Sequence, residues 1–292
     1  MLFRSETGHH LWADRYDREL ADVFAVQDEI AQSITGAIAP GILSAEIQYA
    51  QRKHPSQLDA WDRIMRAHWH LRRFTKDDLA EARHLLAEAI ALDRANTMAL
   101  SDLALTNHFE AVFGWGDGTV AESYARSGAA ARQAVAADDG DAAAHSVLAI
   151  YELFSGQHAE AQRRLRRALD LDPNSASARG YLGVTYGFGS DYDAAQQHLD
   201  EAIRLSPRDP LLVIWHLCKG WAALSAERYE EAVEFAMRAG EANREFPDIY
   251  AVLAAAHGQL GRAQAARAAL DELSRRMPGL TVGDEQIGRA HV

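Results

Sequence analysis

The chain has 292 residues, room for one large domain or two smaller ones. Thirty Lys and Arg against 42 Asp and Glu leave a net charge of −12, which argues against nucleic acid as a partner of this segment, because phosphate contacts need clustered basic side chains. Apolar residues at 48% and charged residues at 25% exclude wholesale disorder, and the single cysteine, Cys218, excludes an internal disulfide framework and a Cys-based zinc cluster.

No apolar run approaches the roughly 18 residues needed to cross a bilayer. The opening MLFRSETGHH lacks a basic region followed by an apolar one, so it does not read as a signal peptide, and a cytoplasmic location is expected. Leu2–Ser5 and the alternating stretch His9–Tyr16 read as two strands of a hairpin around a Glu6-Thr7-Gly8 turn. Asp22 then caps a helix whose stripe is Val23, Phe24, Val26, Ile30, Ile34 and Ile38. Pro40-Gly41 interrupts it, a second helical stretch runs to about Arg52, and Lys53-His54-Pro55-Ser56 marks a boundary. A hairpin with one helix is not a stable sheet, so further strands are expected upstream.

From there the chain repeats itself. Asp172-Pro173 and Ser206-Pro207 stand 34 residues apart. Ahead of the first lie Leu148-Ala149, Gly156, Ala161, Leu165 and Ala168; ahead of the second lie Leu182-Gly183, Tyr186, Ala195, Leu199 and Ala202. Two helices approach closely only where a small residue faces the partner, and a proline stops the second helix and turns the chain into the next copy. Further copies begin near Val213, with Gly220, Ala232 and Ala239, and near Pro247, with Leu253-Ala254, Gly261, Ala266, Leu270 and Pro278. Upstream, a copy near Thr97 carries Leu103-Ala104 and is stretched by the insert Phe113–Thr119, and an irregular one runs from Leu58 to about Asn96 with Trp61, Ala82, Leu86 and Ala89.

This pattern resembles the tetratricopeptide repeat. The expected fold is all-α, a superhelix of about six helical hairpins with a concave groove, preceded by the remnant β-hairpin and helix of an α/β domain. The stretch TGHHLWADRYDRELADVFAVQDEIAQSI resembles the end of the TolB-like domain of bacterial multidomain proteins, His10–Asp17 and Phe24–Ile30 most specifically. The same arrangement follows the catalytic domain of class III adenylate/guanylate cyclases and occurs in some winged-helix transcription regulators. The resemblance implies a TolB-like remnant with linker helix over 1–54, repeats over 55–280 and a tail over 281–292. Residues 287–292, Ile-Gly-Arg-Ala-His-Val, fit one reading frame of a common sequencing adapter, so the chain is expected to be a fragment whose last residues are not natural protein.

Candidate chemistry is sparse. His68 and His70 face apart on a helix, and the adjacent His9 and His10 point to opposite sides of a strand, so neither pair holds a metal. Asp138-Asp139-Gly140-Asp141 lacks the ligand spacing of a calcium loop and falls at a turn between repeats. Phe113–Thr119 is glycine-rich but lacks the closing Gly-Lys-Ser/Thr of a phosphate cradle, and reads as a loop between two helices. Cys218, among Trp215, Leu217 and Trp221, reads as a buried structural thiol. Asp14, Asp17, Asp22, Asp28 and Glu29 read as solvated or capping carboxylates. No catalytic set, metal site or cofactor site emerges, and a non-enzyme is expected.

The groove remains. Its expected lining is Ile150, Leu153, Phe154, Val184, Phe188, Ile214, Leu217, Trp221 and Leu224, apolar and aromatic, which suits an apolar segment of a protein partner, or a neighbouring domain of the parent chain, rather than an acidic peptide. The function expected is interaction and regulation within a class III cyclase, or alternatively within a winged-helix regulator.

Overall fold

The computed structural model describes residues 2–3, 10–12, 42–54, 58–207 and 211–277. Strand β1, Leu2–Phe3, pairs antiparallel with β2, His10–Trp12, with Leu2 opposite Trp12 and Phe3 opposite His10. The hairpin is thus present over a shorter span than the pattern predicts. The rest of both strands, the helix capped by Asp22 and the tail from 278 onward lie outside the described residues.

A helix over 42–52, α1, ends where the sequence places it. Then come α2 (Ala60–Arg73), α3 (Lys76–Leu92), α4 (Thr97–Val112), α5 (Val120–Ala137), α6 (Ala142–Phe154), α7 (His158–Leu171), α8 (Ala176–Phe188), α9 (Tyr192–Leu205), α10 (Leu212–Ser225), α11 (Tyr229–Ala242), α12 (Asp248–Gln259) and α13 (Ala263–Arg276). Taken in pairs from α2, they are the six helical repeats, and the fold is all-α.

The helix starts are written in short polar side chains. Asp59, Thr75, Asn96, Thr119, Ser175 and Asp191 each accept a backbone N–H of the first turn, and Asp59 with Asp62 and Thr119 with Glu122 close capping boxes.

The reversals share one device. In every hairpin the residue ending the first helix's turn is left-handed: Phe74, Gly114, Gly156, Ser190, Glu227 and Gly261, with φ between 51° and 78°. After five of them the next N–H reaches back to a carbonyl five residues earlier, as in Gln157 to Glu152, Asp191 to Tyr186, and Arg228 to Ala223. This geometry satisfies helix-end carbonyls and reverses the chain in few residues. Glycine takes it freely; Phe74, Ser190 and Glu227 take it at a cost.

The chain forms two compact units. The first holds the chain through Tyr151 and Asp170–Asn174, the second Glu152–Leu169 and residues from Ser175. In the first, Ile47 and Ala50 of α1 join Ile64, Met65 and Ala67 of α2, Ala82, Leu85, Leu86 and Ala89 of α3 and Ala99 of α4 in one core. Ala104, Ala130, Ala131, Val147 and Leu148 continue it. Glu110 is buried there, held by Arg83 at 2.9 Å.

In the second unit the repeated small residues are where helices touch. Ala161, Leu165, Ala168, Ala195, Leu199, Ala202, Ala232, Ala236 and Ala239 are all fully buried. A Cβ on Gly183 would lie 2.9 Å from Leu199 Cγ and 3.1 Å from the Ala195 carbonyl oxygen, so α8 and α9 approach as closely as the absent side chain allows.

Candidate functional site

In the second unit the expected lining falls on the end of α6 (Leu153, Phe154), on α8 (Val184, Phe188) and on α10 (Ile214, Leu217, Trp221, Leu224), and none of it on α12. Along α10, Ile214, Leu217, Cys218, Trp221 and Leu224 recur at three- and four-residue steps and share a face. Trp215 points elsewhere. It is fully buried, with Tyr181 edge-on at 5.1 Å, and its ring fills the space that a Cβ on Gly180 would occupy. This packing fixes α10 against α8. At one end Phe188 meets Phe154 edge-on at 5.8 Å, with His158 at 5.7 Å from Phe188.

The predicted residues divide by depth. Leu153, Val184 and Leu217 are buried in the second unit, and Ile150 is buried in the first. Phe154, Phe188, Ile214, Trp221 and Leu224 are half-buried and form the accessible apolar surface. Cys218 is also half-buried, more open than the sequence reading has it, yet burial pushes its thiol up to about 12, so it is protonated at neutral pH and a poor nucleophile.

Charges nearby are mostly paired. Lys219 replaces the leucine found at this place in the neighbouring repeats; it is buried, bonds Asp200 and lies 4.5 Å over the Phe235 ring. Arg164 meets both oxygens of Glu152 at 2.9 Å. Tyr192 donates to Glu231, under Arg228, and burial is the first cause of its rise to about 12. Asp248, the first residue of α12, differs: burial raises it to about 6 and no partner engages its carboxyl among the described residues.

In the first unit the two histidines of α2 make unrelated contacts. His68 Nε2 meets Asp102 of α4 at 2.7 Å, while His70 Nδ1 meets Asp78 of α3 at 2.8 Å, so the two rings serve separate contacts. Burial works against protonation of His68, but the Asp102 charge and hydrogen bond outweigh it and leave its pKa above the ordinary value. Among the described residues no group of three or more His, Cys, Asp or Glu could hold a metal ion. His9 lies outside the described residues. Gly140 N–H bonds Asp138 and the Ala143 and Ala144 N–H groups bond Asp141, so the acidic run is an inter-repeat turn. Phe113–Thr119 joins α4 to α5; Phe74, Phe113 and Trp115 pack together there, and Arg83 reaches both Glu110 and Asp117. None of the helices described is long and apolar enough to cross a membrane.

The sequence reading missed Asp248 and the His68–Asp102 pair. Asp248 follows Pro247 at the start of a repeat, in register with Ile214 one repeat earlier, and that register was the available signal.

The tetratricopeptide repeat family model matches residues 146–210 and 185–245. A Rhizobium meliloti (strain 1021) protein named "Putative adenylate cyclase 3" is 30% identical over 144 residues, 49% of this chain and 24% of that protein. The chain therefore spans about a quarter of that relative's length. Among solved structures, the Cut9-Hcn1 hetero-tetramer of APC/C superposes with a TM-score of 0.62 at 16% identity, covering 86% of this chain and 46% of that one. PilW, a type IV pilus biogenesis factor, gives 0.51 at 21% identity, covering 65% and 86%. These likenesses show the fold.

Proposed function

We propose, from tetratricopeptide repeats bearing an apolar and aromatic face, that this chain is a non-catalytic protein-interaction and regulatory region of a larger bacterial signalling protein, a class III adenylate/guanylate cyclase. The observation that carries the interaction half is the half-buried set Phe154, Phe188, Ile214, Trp221 and Leu224, backed by Leu153, Val184 and Leu217. Aromatic side chains that keep part of their area in water retain free energy that a partner can release by covering them, roughly 25 cal/mol per Å² of apolar surface. The cyclase half is supported by the 30% identity to the Rhizobium meliloti protein.

In this reading residues 1–54 end a TolB-like domain that joins the repeats to an output domain, 55–280 are the repeats, and the protein works in the cytoplasm. Ile150 extends the same role to the first unit. The partner is an apolar protein segment, and this segment binds no nucleic acid and no cofactor.

Two experiments test it. Titration of apolar peptides against the chain and its Phe188→Ala/Trp221→Ala variant should show affinity lost in the variant; full retention removes the groove. The reading frame upstream of Met1 in the source genome should encode the paired metal-binding aspartates of a cyclase; a basic recognition helix there instead assigns the chain to a winged-helix regulator.

A further inference from the structure

One carboxylate borders the apolar face, and no basic side chain pairs with it among the described residues. α12 packs against α10, and Asp248 opens α12 at the repeat position that Ile214 holds on α10, 34 residues earlier, which sets it at the start of the corresponding face of α12. Asp248 sits between buried Pro247 and buried Ile249 and is itself half-buried. Among the described residues Lys219 pairs with Asp200, Arg262 with Glu230, and Arg276 with Glu272 and the Tyr250 ring, while Arg244, four residues before Asp248, is exposed and makes no ion pair with it. Continuing along α12 from Asp248, the same face holds Ala251, Ala255 and Gly258; Ala255 and Gly258 are exposed, and nothing lies within 4 Å of where a Cβ on Gly258 would be.

The face is therefore walled by bulky side chains on α10, shallow on α12, and ends at a lone carboxylate. A half-buried anion without a partner is costly, and a cation brought to the same low-dielectric spot forms a charge-assisted pair. We propose that the α8–α10–α12 face takes an apolar peptide segment carrying one Lys or Arg, whose cation pairs with Asp248 while its apolar side chains cover Trp221 and fill the space over Ala255 and Gly258. The inference rests on the groove reading and names the partner's chemistry: apolar with one basic residue. Acidic segments are turned away by Asp248.

The test uses the full chain and an array of short apolar peptides, each made in two versions differing only by lysine or norleucine at one central position. Fluorescence anisotropy should give the lysine version of the best binders about tenfold tighter affinity, the size of one charged hydrogen bond. Asp248→Asn should erase that advantage while leaving norleucine peptides bound; Asp248→Ser serves if the amide misfolds, and circular dichroism checks both. Glu245→Gln, two residues before Pro247 on the exposed surface, should change nothing. Equal affinity for the two versions, or an advantage that survives both Asp248 variants, overturns the proposal while leaving the groove reading in place. No binding by either version overturns the groove reading itself.

Discussion

Gly183→Ala and Gly240→Ala make the same chemical change in two helices of one unit, and the structure assigns them opposite signs. At Gly240, in α11, an added Cβ meets no atom within 4 Å. Only backbone entropy changes, so the variant should gain up to about 1 kcal/mol. At Gly183 the same gain applies, but the methyl would stand 2.9 Å from Leu199 Cγ and 3.1 Å from both the Ala195 oxygen and the Leu199 nitrogen. Two of those atoms are backbone of α9 and cannot rotate away, so α8 and α9 must separate. Overpacking of this kind costs about 1–3 kcal/mol. The propensity gain is common to both, so their difference isolates the helix contact: Gly240→Ala should be the more stable variant by about 1–3 kcal/mol, or roughly 2–12 °C in melting temperature for a domain of this size. Urea unfolding followed by circular dichroism gives the comparison. Because hairpin stacks can open piecemeal, hydrogen exchange of the α8 and α9 amides should localise the loss. Equal stability of the two variants would refute close contact at Gly183.

Three further outcomes are expected. Glu227→Gly and Ser190→Gly relieve left-handed backbone at two turns and should each stabilise the chain by about 0.5–1 kcal/mol, after the entropy glycine adds to the unfolded state, as read by urea midpoints. Leu199→Ala, at a fully buried site, should cost about 2–5 kcal/mol, whereas Leu270→Ala, in the corresponding place of the last hairpin but 50% exposed, should cost under about 1 kcal/mol in the same assay. The His68–Asp102 contact should make stability fall as pH rises above about 6.5. The folded pKa of His68 lies above its unfolded value near 6.5, so its contribution is complete below about pH 6.5 and disappears as pH rises through the folded value. The drop in urea midpoint between pH 6 and pH 8 should be smaller in Asp102→Asn than in the parent chain.

The repeat was legible because it is a packing rule written in side-chain size. Ala161, Ala195 and Ala232 are small for the same reason in three copies, and a period of small residues survives wide change elsewhere. The separation of His68 from His70 also followed from helix geometry alone. What periodicity hides is depth. Leu217 and Trp221 lie on one face of α10, yet the first is buried and the second half-open, because neighbouring helices decide how far each residue is covered. For the same reason the pattern predicts a buried Cys218, which the structure leaves half-buried. Asp248 escaped notice because a carboxylate opening a helix is so often a solvated cap; only its burial, between buried Pro247 and Ile249, makes it unusual. Lys219 was hidden because it occupies a leucine position, and its burial depends on Asp200 and Phe235, far from it in sequence.

The shared left-handed residue at each reversal has an architectural corollary. In the second hairpin the chain keeps that residue, Gly114, and places the added Trp115–Gly118 directly after it, before Thr119 opens the next helix. The reversal is thus completed before the extra length begins, and the register of the paired helices is indifferent to the length of the insert. Each of the other five turns offers the same splice point, at which foreign sequence could be carried outward without disturbing the packing behind it.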